Sequence, residues 1–451
     1  MSYILETTPT INIPLIADNP VIEELMQNYT YGAKWNIIRN LKNNCITMGN
    51  YKESNRGNAE FVINVTDDGV YIEGCDYSAT MRGFLTFLEK IQYSANEDYF
   101  YIENCCITEN PSISFRCVHL CIFPETKLDF LKKCVRSCAI AKYSHIIFEF
   151  WGMLKFDCMK ELSWPFAYSK EEIKKIVSEA NALGVEIIPM FNHLGHASAC
   201  REINGKHVVL DQNPQMEYLF ESYGWVWNLK RDDVRSLLSK VREELIDICG
   251  EGKYFHIGCD EAYSYAHNTK NAEELAEYLN TVCADLLSKG RRMIMWHDML
   301  LSPDEFKGYT AFSDKDVSEI LLEKLNKKII IADWEYYSEF ECSWKTSKAL
   351  KKHGFDVLCC PWYQISNIHE AIETVLSNGL YGVIITTWHT LQRGFREMIY
   401  AGACAYDKKV MGDMEMQQLY CSHVARKALP SYGEYEKCGW SEKMTGPGSG
   451  L

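Results

Sequence analysis

Two adjacent carboxylates, Asp260 and Glu261, end the run Lys253-Tyr254-Phe255-His256-Ile257-Gly258-Cys259, which is otherwise mostly apolar. Such a run reads as a buried strand, because a parallel strand covered on both faces needs apolar side chains on both. Bare charges are costly in a low dielectric, so the pair marks the point where the strand surfaces at the mouth of a site. Carboxyl pairs are the working groups of glycoside hydrolysis, set about 5–5.5 Å apart for retention and wider for inversion. Neighbours on a strand point to opposite faces, which leaves Asp260 and Glu261 poorly placed to face each other across one sugar. The spacing predicts a division of labour: one residue is the general acid and the other serves a different part of the substrate.

The elements that must hold this pair come from a regular alternation that begins at Ser112. Strands are expected at 115–120, 145–150, 185–190, 254–259, 292–296, 329–333, 356–360 and 383–388, with helices in the gaps. Ser169 with Glu172 makes a capping box for one helix, which Gly184 ends. Asn271 with Glu274, and Asn367 with Glu370, suggest two further capping boxes, and Asp232 or Asp233 opens the helix that Gly250 closes. Eight strands alternating with eight helices predict a (β/α)₈ TIM barrel rather than a doubly wound sheet, since no glycine-rich phosphate fingerprint follows the first strand. The longest connection, 191–231, carries Trp225, Trp227 and three histidines, a composition that argues for function.

Barrel sites lie at the C-terminal strand ends. Those ends read Glu149, then Asn192-His193-Leu194-Gly195-His196, Asp260-Glu261, Trp296-His297-Asp298, Asp333-Trp334-Glu335-Tyr336-Tyr337, Pro361-Trp362-Tyr363 and Trp388-His389. Core packing alone does not place tryptophan or an ionisable group at so many strand ends. The segment His256-Ile257-Gly258-Cys259-Asp260-Glu261 resembles the His-Ile-Gly-Gly-Asp-Glu signature of the glycoside hydrolase family 20 β-N-acetylhexosaminidases, with Cys259 where a second glycine is usual. The likeness is greatest to the hexosaminidase D branch and runs in order through most of residues 60–405.

The resemblance implies an exo-acting, retaining β-N-acetylhexosaminidase working by substrate assistance, the exception that family 20 makes among glycosidases. On that footing Glu261 protonates the leaving oxygen, and Asp260 holds the 2-acetamido N–H while its carbonyl oxygen attacks the anomeric carbon. Arg116, on the first strand, matches the arginine that grips sugar hydroxyls. His196 orients Glu261 with Glu149 behind it, and Asp298, at the end of the fifth strand, is a further substrate-binding residue. Trp296, Trp334 and Trp388 wall the acetamido pocket, and Tyr336 or Tyr337 donates to its carbonyl. Most members carry Trp-x-Glu on the last strand where this chain has Trp388-His389-Thr390, and the second strand lacks their Asp-Asp. Two alternatives are a sugar-binding barrel without turnover and a hydrolase of non-acetamido glycosides.

The 451 residues, 47% apolar and 24% charged, predict a soluble protein of one large and one small domain. Residues 1–110 read as a small α+β domain with a hairpin at Asp67-Asp68-Gly69, a helix over 80–91 and a strand over 99–107. The barrel is expected over 111–408, and a helical segment with a loose tail over 409–451. A net charge of −14 excludes nucleic acid and anionic membranes as partners but not a neutral oligosaccharide ending in an N-acetylhexosamine. The start lacks a signal-peptide pattern, and no stretch approaches the roughly 18 apolar residues of a membrane span. The 19 cysteines show no Cys-x-x-Cys pair or disulfide spacing, which points to a reducing cytoplasm. No metal-ligand spacing, phosphate loop or nucleophile elbow is present, so no metal or cofactor is expected.

Overall fold

The computed structural model describes residues 2–5, 9–12, 19–38, 46–48, 57–200, 205–306, 310–336, 344–413 and 415–428. Eight parallel strands close into a barrel in chain order. They are Phe115–Ile122, His145–Phe150, Glu186–Met190, Tyr254–His256, Arg292–Trp296, Ile330–Trp334, Asp356–Cys360 and Gly382–Thr386. The eighth pairs with the first from Phe115–Gly382 to His119–Thr386, which closes the ring. Alternate residues such as Cys117, Ile147, Ile188, Ile294, Ile330, Leu358 and Ile384 fill the interior, so the barrel is a packed core and not a pore.

The Ser169–Glu172 capping box is present ahead of helix Lys170–Ala182. The other two suggested boxes are not. Asn268, not Asn271, caps helix Thr269–Ser288 by accepting from the Asn271 N–H. Asn367 lies inside helix Ile365–Asn378, where its side chain ties the Trp362 N–H to the Glu335 carbonyl across two strand ends.

The leading residues form two sheets. One has strand order 36–38, 10–12, 46–48, 69–74, 61–66, 105–109; the other pairs 2–5 and 92–94 with 99–103. The stretch 99–107 is thus two strands in different sheets, broken at Asn104. Helix Tyr77–Glu89, capped by Asp76, covers the larger sheet. This unit is tied to the barrel by Arg136–Glu24 at 2.7 Å and Lys142–Glu109 at 2.7 Å, both partly buried. Helix Cys421–Lys427 returns to it, with the Asn28 amide donating to the Lys427 carbonyl and the Lys427 ammonium to the Asn28 carbonyl. The residues beyond 428 lie outside the described residues, and no described helix is long and apolar enough to cross a membrane.

Candidate active site

The fourth strand is only three residues long, and its early end shapes the site. Gly258 has φ +68°, Cys259 +76° and Glu261 +50°, all in the left-handed region. An added Cβ at Gly258 would fall 1.9 Å from Asn192 Oδ1, so only glycine fits there. These turns abolish the strand alternation expected of Asp260 and Glu261. Both carboxylates reach the same imidazole nitrogen: His196 Nε2 lies 3.4 Å from Asp260 and 3.2 Å from Glu261. The two are not equivalent, because the Asp260 side chain is 6% exposed and that of Glu261 is 28%.

The backbone is held from three sides. A Cβ on Gly195 would sit 2.0 Å from the Asp260 carbonyl oxygen, so the third loop and the turn touch backbone to backbone. Trp225, from the long third connection, donates its indole N–H to the Glu261 carbonyl at 2.7 Å. Asp298 Oδ2 accepts the Glu261 N–H at 2.7 Å, while Oδ1 lies 3.4 Å from the Trp334 indole nitrogen. Asp298 therefore fixes Glu261 and a pocket wall together.

Hydrogen-bond roles set the charge of His196. Its Nδ1 faces the Cys200 carbonyl at 2.9 Å, an acceptor, so both ring nitrogens meet acceptors and both carry hydrogen. Burial works against this cation, but Asp260 and then Glu261 more than offset it and push its pKa up to about 9. Burial pushes Asp260 up to about 7; His196 opposes the rise, while Glu261 and Glu149 add to it. Burial raises Asp298 well above the usual carboxylate range, with Asp260 adding to the effect. Asp260 Oδ1 is buried and has no hydrogen-bond partner among the described residues, an acceptor held ready for a donor.

The floor comes from the first three strands. Glu149 Oε1 accepts from the Asn192 amide at 2.7 Å, and Oε2 lies 2.8 Å from His119 Nε2 and 3.4 Å from Cys121 Sγ. Burial would raise the Glu149 pKa, yet the His119 hydrogen bond and charge hold it below the ordinary value. The walls are aromatic. Trp296 and Trp388 have ring centroids 5.6 Å apart, Trp334 stacks on Tyr336 at 5.4 Å, and Tyr336 meets Trp362 at 5.4 Å. The Trp388 indole donates to the Tyr336 hydroxyl oxygen at 2.7 Å, joining the sixth and eighth strand ends.

Nine of the ten expected site residues, Glu149, His196, Asp260, Glu261, Trp296, Asp298, Trp334, Tyr336 and Trp388, gather at this end. Arg116 does not. It is the second residue of its strand, at the opposite end of the barrel, 1% exposed, and donates to the Ile113, Ser114 and Lys142 carbonyls at 2.6, 3.0 and 2.8 Å. Its guanidinium lies over the Tyr406 ring, and burial lowers its pKa to about 10. A sugar-gripping role is excluded by place; Arg116 ties together the entry into the barrel. Tyr337 lies outside the described residues. Glu335 faces away from the pair, accepting from the Trp344 N–H at 3.1 Å and the Thr346 hydroxyl at 3.1 Å. His119 and Cys121 at the floor are the residues that sequence reasoning passed over, and Trp225, noted only as part of the long third connection, stands behind Glu261. Their signal was alternation on the first strand and the length of the third connection.

The sequence profile described as glycosyl hydrolase family 20, catalytic domain, matches residues 140–393. Hexosaminidase D of Bos taurus is 22% identical over 282 residues, covering 54% of this chain and 75% of that protein. Lacto-N-biosidase of Bifidobacterium bifidum is 21% identical over 310 residues, 64% of this chain but only 25% of its own length. The solved family 20 β-N-acetylhexosaminidase of Streptomyces coelicolor superposes with a TM-score of 0.68 at 13% identity, covering 96% of this chain and 94% of that one. The barrel, the carboxylate pair at its open end and the profile match over more than half of the chain agree: this protein is a glycoside hydrolase and belongs to glycosyl hydrolase family 20.

Proposed function

We propose that the chain is an exo-acting β-N-acetylhexosaminidase that retains configuration through the substrate's own acetamido oxygen. The observation that carries this reading is Asp260: a buried carboxylate whose Oδ1 has no partner among the described residues, next to an aromatic pocket and one residue from the more exposed Glu261. A 2-acetamido group entering the pocket between Trp296, Trp334 and Trp388 offers an N–H to that oxygen. Holding the N–H turns the acetyl carbonyl toward the anomeric carbon and stabilises the positive charge that grows on nitrogen as the ring closes. The Tyr336 hydroxyl, fixed by Trp388, is the donor suited to that carbonyl oxygen.

Glu261, the outer carboxyl, gives its proton to the departing oxygen and then takes one from the water that opens the cyclic intermediate. Two inversions at the anomeric carbon leave its configuration unchanged. Neither carboxylate needs to face the other across the sugar, which agrees with both reaching one imidazole from the same side. The described cysteines are free, which supports a reducing, cytoplasmic setting as part of the proposal.

The test compares kcat/KM for a GlcNAc glycoside and the matching glucoside. One neutral hydrogen bond is worth roughly 0.5–1.5 kcal/mol, about tenfold, whereas an intramolecular nucleophile in attack geometry contributes up to about 7–11 kcal/mol. The glucoside should react several orders of magnitude more slowly. Values within tenfold of each other would sink substrate assistance and favour a hydrolase of non-acetamido sugars.

A further inference from the structure

We propose that His119, Cys121 and Glu149 form a binding site for one soft divalent transition-metal ion, with Zn²⁺ the fitting occupant, beneath the sugar pocket. His119 and Cys121 are two apart on the first strand and so project to the same face. Cys121 pairs in register with Glu149 of the second strand, which brings the third donor alongside. All three are buried, and their donor atoms lie within 4.8 Å of one another.

Two of the three distances match the edges of a coordination face, and the third, a hydrogen bond, must lengthen slightly. Nε2 to Oε2 is 2.8 Å, Sγ to Oε2 is 3.4 Å and Sγ to Nε2 is 3.6 Å. A triangle with these sides has a point about 2 Å from every corner, close to the zinc bond lengths of about 2.0–2.3 Å to nitrogen, oxygen and thiolate sulfur. An ion can enter with small side-chain shifts by displacing the protons now shared among the three groups. Thiolate, carboxylate and neutral imidazole together cancel a double positive charge, which meets the requirement that buried charge be compensated. Sulfur and imidazole select against the hard ions Mg²⁺ and Ca²⁺.

Two surrounding features suit a metal. The Asn192 amide donates to Glu149 Oε1 at 2.7 Å and so orients a ligand from outside, as partners of metal-bound carboxylates do. On its other side Glu149 borders a small cavity lined by Trp151, Asn192, His196, Ser198 and Ala199, so the carboxylate has space in which to shift toward an ion. The Trp388 ring packs edge-on against His119 at 4.9 Å, so an ion here would brace a wall of the sugar pocket from below.

Tag-free protein stripped with a chelator is titrated with Co²⁺. One equivalent should give a thiolate-to-cobalt band and tetrahedral visible bands, and Zn²⁺ should bleach both. Cys121→Ser should weaken binding by more than the roughly 100-fold that losing an outer partner brings, while Cys75→Ser, at an exposed thiol elsewhere, should leave it unchanged. Circular dichroism checks that each variant is folded. Zinc-edge X-ray absorption on the wild-type protein needs no variant and should show one sulfur with nitrogen and oxygen neighbours. No uptake at micromolar metal, equal uptake by folded Cys121→Ser, or a shell with no sulfur or with several would each overturn the site and leave the trio a hydrogen-bonded brace.

Discussion

Replacing His196 by glutamine tests whether the imidazolium governs the ionisation of Asp260. Glutamine keeps a polar side chain but removes the charge that lies 3.4 Å from Asp260 and 3.2 Å from Glu261. At an effective dielectric constant of about 20, unit charges at such a separation interact by roughly 4–5 kcal/mol. One pKa unit corresponds to about 1.36 kcal/mol, so the ceiling on the shift is about three and a half units. Water admitted by the smaller side chain will reduce it. In the wild-type protein burial raises Asp260 to about 7 against the pull of His196, so loss of His196 moves the pKa further up. If ionised Asp260 is the form that stabilises the acetamido group, the acidic limb of kcat/KM falls near pH 7 in the wild type. It should move upward by at least one unit in His196→Gln, with activity partly recovered at high pH. The limb belongs to the coupled cluster rather than to one residue, but the direction is unambiguous. The measurement is kcat/KM against pH for both proteins with a chromogenic GlcNAc glycoside. A limb that stays in place while activity falls equally at every pH would refute electrostatic control by His196 and leave it a steric support.

Glu261→Gln should lower turnover of an unactivated disaccharide by about 10²–10⁴-fold, and by less for a nitrophenyl glycoside whose leaving group needs little protonation; equal rates on the disaccharide would remove Glu261 as the acid. Arg116→Met removes the donor from the buried Ile113 carbonyl, a loss of about 1–3 kcal/mol, and from the partly buried Ser114 and Lys142 carbonyls, so thermal stability should fall while KM of the remaining folded enzyme stays unchanged; a raised KM at unaltered stability would return Arg116 to the substrate. A thiol count on denatured, unreduced protein should give all 19 cysteines. A clear shortfall would argue against a reducing compartment.

The barrel was legible because its signal is repeated eight times and each strand must be apolar on both faces. The mouth was legible because tryptophan and ionisable groups recur where strands stop. What misled was position within a strand. Arg116 follows Phe115, the first residue of its strand, and a residue there faces the bottom of the barrel whatever family resemblance suggests. His119 and Cys121 were passed over because an apolar run hides which of its polar members point inward, and Glu149 comes from a different strand. In the leading domain the strands at 2–5, 10–12, 36–38 and 46–48 have three or four residues each. Pieces so short show no periodicity by which to be recognised.

The reading of Asp260 and Glu261 as opposed residues rested on strand geometry, but the strand ends at His256, before either residue. The difference has a physical origin in the backbone. Left-handed conformations at Cys259, Glu261, His196, Ser198, Ala199 and Trp388 all lie around one end of the barrel. Non-glycine residues resist that region, at a cost of order 1–3 kcal/mol each, so surrounding contacts must hold them there. The contacts are visible: Trp225 on the Glu261 carbonyl, Asp298 on the Glu261 N–H, Gly195 against the Asp260 carbonyl and Asn192 against Gly258. Each comes from a different strand end or from the long third connection. Two neighbours in sequence can therefore share one imidazole while one stays buried and the other reaches outward. The proposed mechanism needs a buried acceptor for the substrate's amide and an outer acid for its leaving group, and it is the broken alternation that brings both carboxylates onto one face.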